Sequence, residues 1–187
     1  MHRMQIIYTA LALLVLAIMG VSCAVADVTA SGDTATRRPL SQMGTFCTKI
    51  NQSEEGRVQN IRQASQSVHG KVVNPGETFS FNEAVGPTIQ RRGYKLATIY
   101  VNGEKDEGFG GGVCQVSSTL YNAAAHAGMK ILERHDHSLP VNYVERGKEA
   151  ATSYGVKDFR FQNPHPFPCL IESHVEGGEI SVTIYRI

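Results

Sequence analysis

Neither sign of charge dominates this chain of 187 residues: 18 Lys+Arg stand against 17 Asp+Glu, a formal net charge of +1. The basic residues form no cluster interleaved with aromatics of the kind that tracks a phosphate backbone, which argues against nucleic acid as a partner. Nucleotide motifs are missing as well. The glycine-rich "GFGGGVC" of residues 108–114 lacks the Lys-Ser/Thr ending of a P-loop and the third-glycine spacing of a dinucleotide-binding turn. There is no HExxH, and Cys114, His135 and His137 with Asp136 or Asp158 match no standard zinc spacing. A zinc site built from those residues therefore ranks as a third reading, and no cofactor is expected. Internal repeats are absent, and the length leaves room for one domain with an ordinary core once any targeting segment is removed.

The chain begins with a positive charge at Arg3, an apolar run from Ile6 to Val21, and "CAVAD", in which Ala24 and Ala26 are the small residues a signal peptidase needs. Residues 1–26 thus read as a secretory signal, which places the mature chain outside the cytoplasm with no stable membrane span. Two alternatives stand beside it. The run approaches the ~17 residues of a spanning helix and can remain as an anchor. Lipid attachment at Cys23 is the other, against which Gly20 counts, because a lipoprotein signal usually has a larger aliphatic residue there. Residues 27–41 are small, polar and without period, a flexible leader, and residues 42–187 form the domain. With Cys23 removed, Cys47, Cys114 and Cys169 remain in an oxidising compartment. A bridge between Cys47 and Cys169 is expected, with three separately buried thiols as the alternative.

Helical spacing of Val58, Ile61, Ala64 or Ser65, and Val68 predicts a helix from Arg57 to His69, with Gly70 able to stop it. "GTFCTKI" before it reads as a strand. "NPGETFSFNEAVGP" reads as a turn and a strand with Phe79 and Phe81 on one side. "YKLATIYVNGEKDEG" predicts a hairpin turning at Asn102-Gly103. A second helix spans Gln115 to Ala127, stopped by Gly128 and carrying a narrow apolar stripe of Val116, Leu120, Ala123, Ala124 and Ala127. Extended patterns then follow to the C-terminus and look like an antiparallel meander. Helix followed by sheet gives an α+β class, with the cysteine-bearing helix packed on a C-terminal antiparallel sheet.

The blocks "NPGETFSFNEAVGP", "RRGY", "GGGVCQVSSTLYNAAAHAG", "ERHDHSLPVNYV" and "DFRFQN" together resemble the VanW-like family of bacterial envelope proteins, from about Thr45 to the C-terminus. The family takes its name from an accessory protein of vancomycin-resistance gene clusters. The resemblance implies a cell-wall context, with a wall peptide or peptidoglycan fragment as partner, and names no reaction. Cys47 and Cys169 depart from the pattern, standing where hydroxyl or aliphatic residues are more usual, as does Glu149 where aspartate is usual.

Cys114 follows three glycines at a predicted helix start, where the macrodipole and unpaired amides favour a thiolate, the attacking form of cysteine. Gly111 and Gly112 allow close approach to the main chain. The amides there, with the Gln115 side chain and Ser117, are candidates for holding an oxyanion. His135 and His137 share one face of a predicted strand, and either can serve as base, His137 first. Asp158, or Glu149 in its place, can orient the imidazole, and Arg134 is a candidate ligand for a carboxylate or phosphate. His126, late in the helix, reads as structural. The order of thiol on a helix, histidine on a strand and carboxylate on the next resembles transglutaminase-like and papain-like thiol enzymes. Against this stand a wall-binding module with Cys114 as packing, and the zinc site.

Overall fold

The computed structural model describes residues 40–187 apart from Asn102. The signal, the leader up to residue 39 and the Asn102 half of the expected hairpin turn lie outside the described residues. The fold is α+β, as expected from the order of patterns. Its main sheet is antiparallel with strand order β1-β9-β8-β2, formed by β1 (Ser41–Lys49), β2 (Val72–Val73), β8 (Cys169–Glu176) and β9 (Glu179–Arg186). Helices α1 (Glu55–Val68) and α3 (Val113–His126) pack on this sheet, α1 on β8 and α3 on β1 and β9. Alternation along the strands supplies the core: Ile171, Ile180, Val182 and Ile184 face the helices and are fully buried beside Ile61, Ala64, Val116 and Leu120.

A second, small sheet has order β3-β7-β6, from β3 (Thr78–Ser80), β6 (Lys130–Glu133) and β7 (Arg160–Gln162). The C-terminal extended patterns are thus divided between two sheets, and the antiparallel meander expected from the sequence holds for the β6–β7 and β8–β9 pairs but breaks between β7 and β8. The hairpin of β4 (Leu96–Val101) and β5 (Glu104–Phe109) forms where "YKLATIYVNGEKDEG" predicts it, with Gly103 at φ 85°. Phe81, expected to continue a strand, instead opens the short helix α2 (Phe81–Val85), because the Ser80 hydroxyl accepts the Glu83 N–H at 3.1 Å as a cap. Phe79 and Phe81 are both buried all the same.

Sheet register separates the two cysteines expected to bridge. Cys47 pairs with Ser181 and Cys169 with Arg186, so their partners on β9 lie about 16 Å apart along the strand. A disulfide needs Cα atoms within about 7 Å. Cys47 is exposed, Cys169 is buried in the core, and both are free thiols; the expected disulfide is corrected on this ground.

Helix α3 departs from the amphipathic stripe read in its sequence. Its polar residues Gln115, Ser117, Ser118, Thr119 and Asn122 are buried along with the apolar ones. Gln115 and Thr119 face β1 through the Thr48 hydroxyl, and Ser117, Ser118 and Asn122 lie under a strap, residues 148–152, that runs antiparallel over the helix. Asn122 donates to the Lys148 carbonyl at 2.7 Å, Ser117 donates to the Ala150 carbonyl at 2.6 Å, and the Ala150 N–H donates to the Ser118 hydroxyl at 2.9 Å. The strap thereby satisfies Ser117, Ser118 and Asn122.

Candidate functional site

The strap ends at the start of α3, and there it meets Cys114. The helix begins after Gly112, whose φ of 102° lies where only glycine is comfortable. Its glycines are packed rather than open to a ligand. A Cβ on Gly111 would come 2.5 Å from the Thr98 carbonyl oxygen, and one on Gly112 would come 2.9 Å from the Arg57 side chain and 3.0 Å from Ile61. Asn60 donates to the Gly111 carbonyl at 3.1 Å. The run of glycines therefore lets α3 start against α1 and β4.

Cys114, second residue of the helix, is half-buried. The Thr152 N–H donates to Sγ at 3.4 Å, the thiol faces the Thr152 carbonyl at 3.4 Å, and the Thr152 hydroxyl lies 3.8 Å away. Burial pushes the thiol up, but the hydrogen bond and positive charge of His137, together with the Thr152 contacts, outweigh it and hold the thiol below its ordinary value. Tyr143 completes the surroundings. Its ring meets the His137 ring edge-on at 6.4 Å. Burial first, then the Cys114 charge, push its phenol well above the usual range against the pull of Ser118 and Arg57. The phenol therefore keeps its proton and can donate.

His135 and His137 do not lie on a strand: β6 ends at Glu133 and both follow it in an irregular loop. The loop separates them. His137 meets the Tyr143 ring and lowers the Cys114 thiol, while His135 Nε2 pairs with Glu133 Oε1 at 2.9 Å. Asp158 is placed before β7 and is committed elsewhere. Its two oxygens accept from the Ser80 hydroxyl at 2.5 Å and from the Asn82 and Phe159 N–H groups at 2.8 Å each. It fixes the start of α2, which corrects the orienting role read from the sequence.

Gln115 is likewise spent within the fold. Its amide donates to the Thr48 hydroxyl at 3.0 Å and the Lys49 carbonyl at 2.9 Å, and its oxygen accepts from Arg57 at 2.9 Å. The Gln115 and Ser117 side chains are thus engaged within the fold rather than held for an oxyanion, and Gly111 and Gly112 pack closely on β4 and α1. Arg134 donates to the Glu149 carbonyl at 2.7 Å, pairs with Asp136 at 2.7 Å and lies over the Tyr121 ring. It braces the loop rather than presenting itself to a ligand. His126 Nδ1 lies 2.9 Å from the Thr45 carbonyl, in the structural role expected. Among the described residues no three His, Cys, Asp or Glu side chains converge as metal ligands, so the zinc reading loses its donor set.

Thr152 and Tyr143 went unseen in the sequence. Thr152 acts largely through its backbone, which carries no residue signature. Tyr143 sits in "LPVNYV", whose extended look gives no hint of a partner across the fold.

Fold and site together define an α+β domain whose buried central helix opens on a cysteine paired with a histidine. The chain belongs to the VanW-like family: the model described as "VanW like protein" matches residues 56–185. It is 46% identical over 144 residues to "Uncharacterized protein YoaR" of Bacillus subtilis, covering 77% of this chain and 48% of that protein. It is 30% identical over 115 residues to "Vancomycin B-type resistance protein VanW" of Enterococcus faecalis, covering 59% of this chain and 42% of that protein. The chain spans about half the length of the curated relatives it matches. No solved structure matches it. The link to vancomycin resistance lies in the second relative's name.

Proposed function

We propose that this domain is an extracytoplasmic thiol enzyme that acts on an amide bond of cell-wall peptides, as hydrolase or acyl-transferase. One observation carries the reading: the Cys114 sulfur, at the second position of α3, accepts the Thr152 N–H at 3.4 Å, and His137 with the Thr152 contacts holds the thiol below its ordinary value. In the reaction this arrangement supports, the Cys114 thiolate adds to the acyl carbon. The His137 imidazolium returns a proton to the departing amine as the carbon–nitrogen bond breaks, leaving a thioester. Water or an acceptor amine then attacks, gives its proton to His137, and releases the acyl group and the thiolate. The protonated Tyr143 phenol, on the ring that meets His137, takes the oxyanion role that Gln115 does not fill. The wall context rests on the family and on the name of the enterococcal relative, and the location on the signal-like N-terminal segment. The papain-like arrangement rests on element order alone.

A recognition module is the second reading, favoured by the commitment of Gln115 and both glycines to packing. Alkylation of the folded chain with iodoacetamide across pH, resolved by peptide mass spectrometry, separates the two. The enzyme reading expects Cys114 to label below the ordinary thiol range near pH 8.5 and His137→Ala to move labelling upward. Labelling of Cys114 only at or above pH 8.5 would favour recognition.

A further inference from the structure

Three polar side-chain atoms among the described residues are buried without a hydrogen-bond partner: Tyr94 Oη, His137 Nδ1 and Glu149 Oε2. Two of them belong to the segments that enclose Cys114. Glu149 is 2% exposed, and an unpaired carboxylate at that depth is costly to keep. Every other carboxylate of these segments is committed: Glu133 to His135, Asp136 to Arg134, and Asp158 to Ser80 and Asn82.

The loop that carries His137 and the strap that carries Glu149 run side by side, joined twice. Arg134 donates to the Glu149 carbonyl at 2.7 Å, and the Ala151 N–H donates to the His135 carbonyl at 2.8 Å. Past these joints both reach the same sulfur, the loop through His137 and the strap through Thr152. Other charged groups near the site are engaged, Arg57 with Gln115 and Arg134 with Asp136. A substrate ammonium would have to enter a nearly closed space to reach Glu149, whereas an imidazole on the adjoining segment is already inside. Tyr94, the other orphaned donor, lies beside Arg92 rather than among these groups.

We infer that Glu149 is the positioning carboxylate for His137: when the Cys114 thiolate and the His137 imidazolium form, its Oε2 accepts from His137 Nδ1 and holds the imidazolium in place. The two atoms are unpaired in this structure and pair as the Cys114 proton passes to His137, before any substrate binds. This rests on the thiol-enzyme reading of Cys114 and extends it by one residue.

The test is the rate of Cys114 alkylation by iodoacetamide at pH 6 in the full chain. Wild type, His137→Ala, Glu149→Gln and Glu149→Asp are compared, with melting temperature measured on each. Loss of a carboxylate that steadies an imidazolium slows alkylation by about tenfold in Glu149→Gln, and Glu149→Asp restores most of the rate. The melting temperature of Glu149→Gln stays level or rises, because a buried unpaired charge has been removed. Equal or faster alkylation in Glu149→Gln overturns the inference, since a carboxylate acting only as a nearby negative charge would repel the thiolate. A fall in both rate and melting temperature that Glu149→Asp does not restore also overturns it. If wild-type Cys114 itself fails to label at pH 6 and His137→Ala changes nothing, the thiol-enzyme reading fails instead, and the two failures are told apart.

Discussion

A single hydrogen-bond set decides what each polar residue near Cys114 does. Gln115 neighbours the sulfur in sequence, yet its amide ties β1, α1 and α3 together through Thr48, Lys49 and Arg57. Gln115→Ala should therefore lower stability by about 1–3 kcal/mol in urea unfolding, by leaving buried partners unsatisfied, while the pH profile of Cys114 labelling stays in place. Glu133 carries a different signature. The His135 hydrogen bond first, and then the Asp158 N–H, hold its carboxyl below the ordinary value. A depressed carboxyl stabilises the fold above its unfolded titration and ceases to do so as pH falls through its folded one. Glu133→Gln should thus destabilise at neutral pH, and wild type and variant melting temperatures should converge on acidification below the carboxylate range.

Among the elements, close approach matters more than composition. Gly44 sits where the β1–β9 register shifts, and a Cβ there would come 2.4 Å from the Ala127 N and 2.5 Å from the Ala123 carbonyl oxygen. Gly44→Ala must push β1 off α3 and should cost about 1–3 kcal/mol in equilibrium unfolding. Both long helices were legible because their apolar spacing and glycine stops are local. The short helix α2 was not read, although "SFNE" carries the Ser-x-x-Glu signal of a capped start. Phenylalanines at alternate positions gave the stronger strand pattern, and the Asp158 carboxylate that holds Ser80 and the Asn82 N–H comes from far along the chain. Asp158→Ala should loosen α2 by about 1 kcal/mol, visible as faster hydrogen exchange at Asn82 and Glu83.

Across the whole molecule, sheet order overrides inferences from cysteine counting. Exposed Cys47 on the edge strand β1 and Cys169 in the core are separated by β9 and by register. Reducing agent should leave the melting temperature unchanged, with Cys47 alkylated in the native chain and Cys169 only after unfolding. Either a reduction-sensitive melt or a bridged 47–169 peptide would contradict the register. No helix among the described residues is long and apolar enough to cross a membrane.

The sequence by itself determined the α+β class, the two long helices, the β4–β5 and β8–β9 hairpins and the thiol at the helix start, because each follows from periodicity or turn chemistry within a dozen or so residues. It offered both His135 and His137 as the base, His137 first, without placing either ring. Only the tertiary structure chose between them, by seating one imidazole on Glu133 and the other on Cys114. The strap that buries α3 and brings Thr152 to the sulfur was equally invisible. Its contacts are made by backbone groups 26 to 38 residues away from their partners, and backbone groups are the same in every sequence.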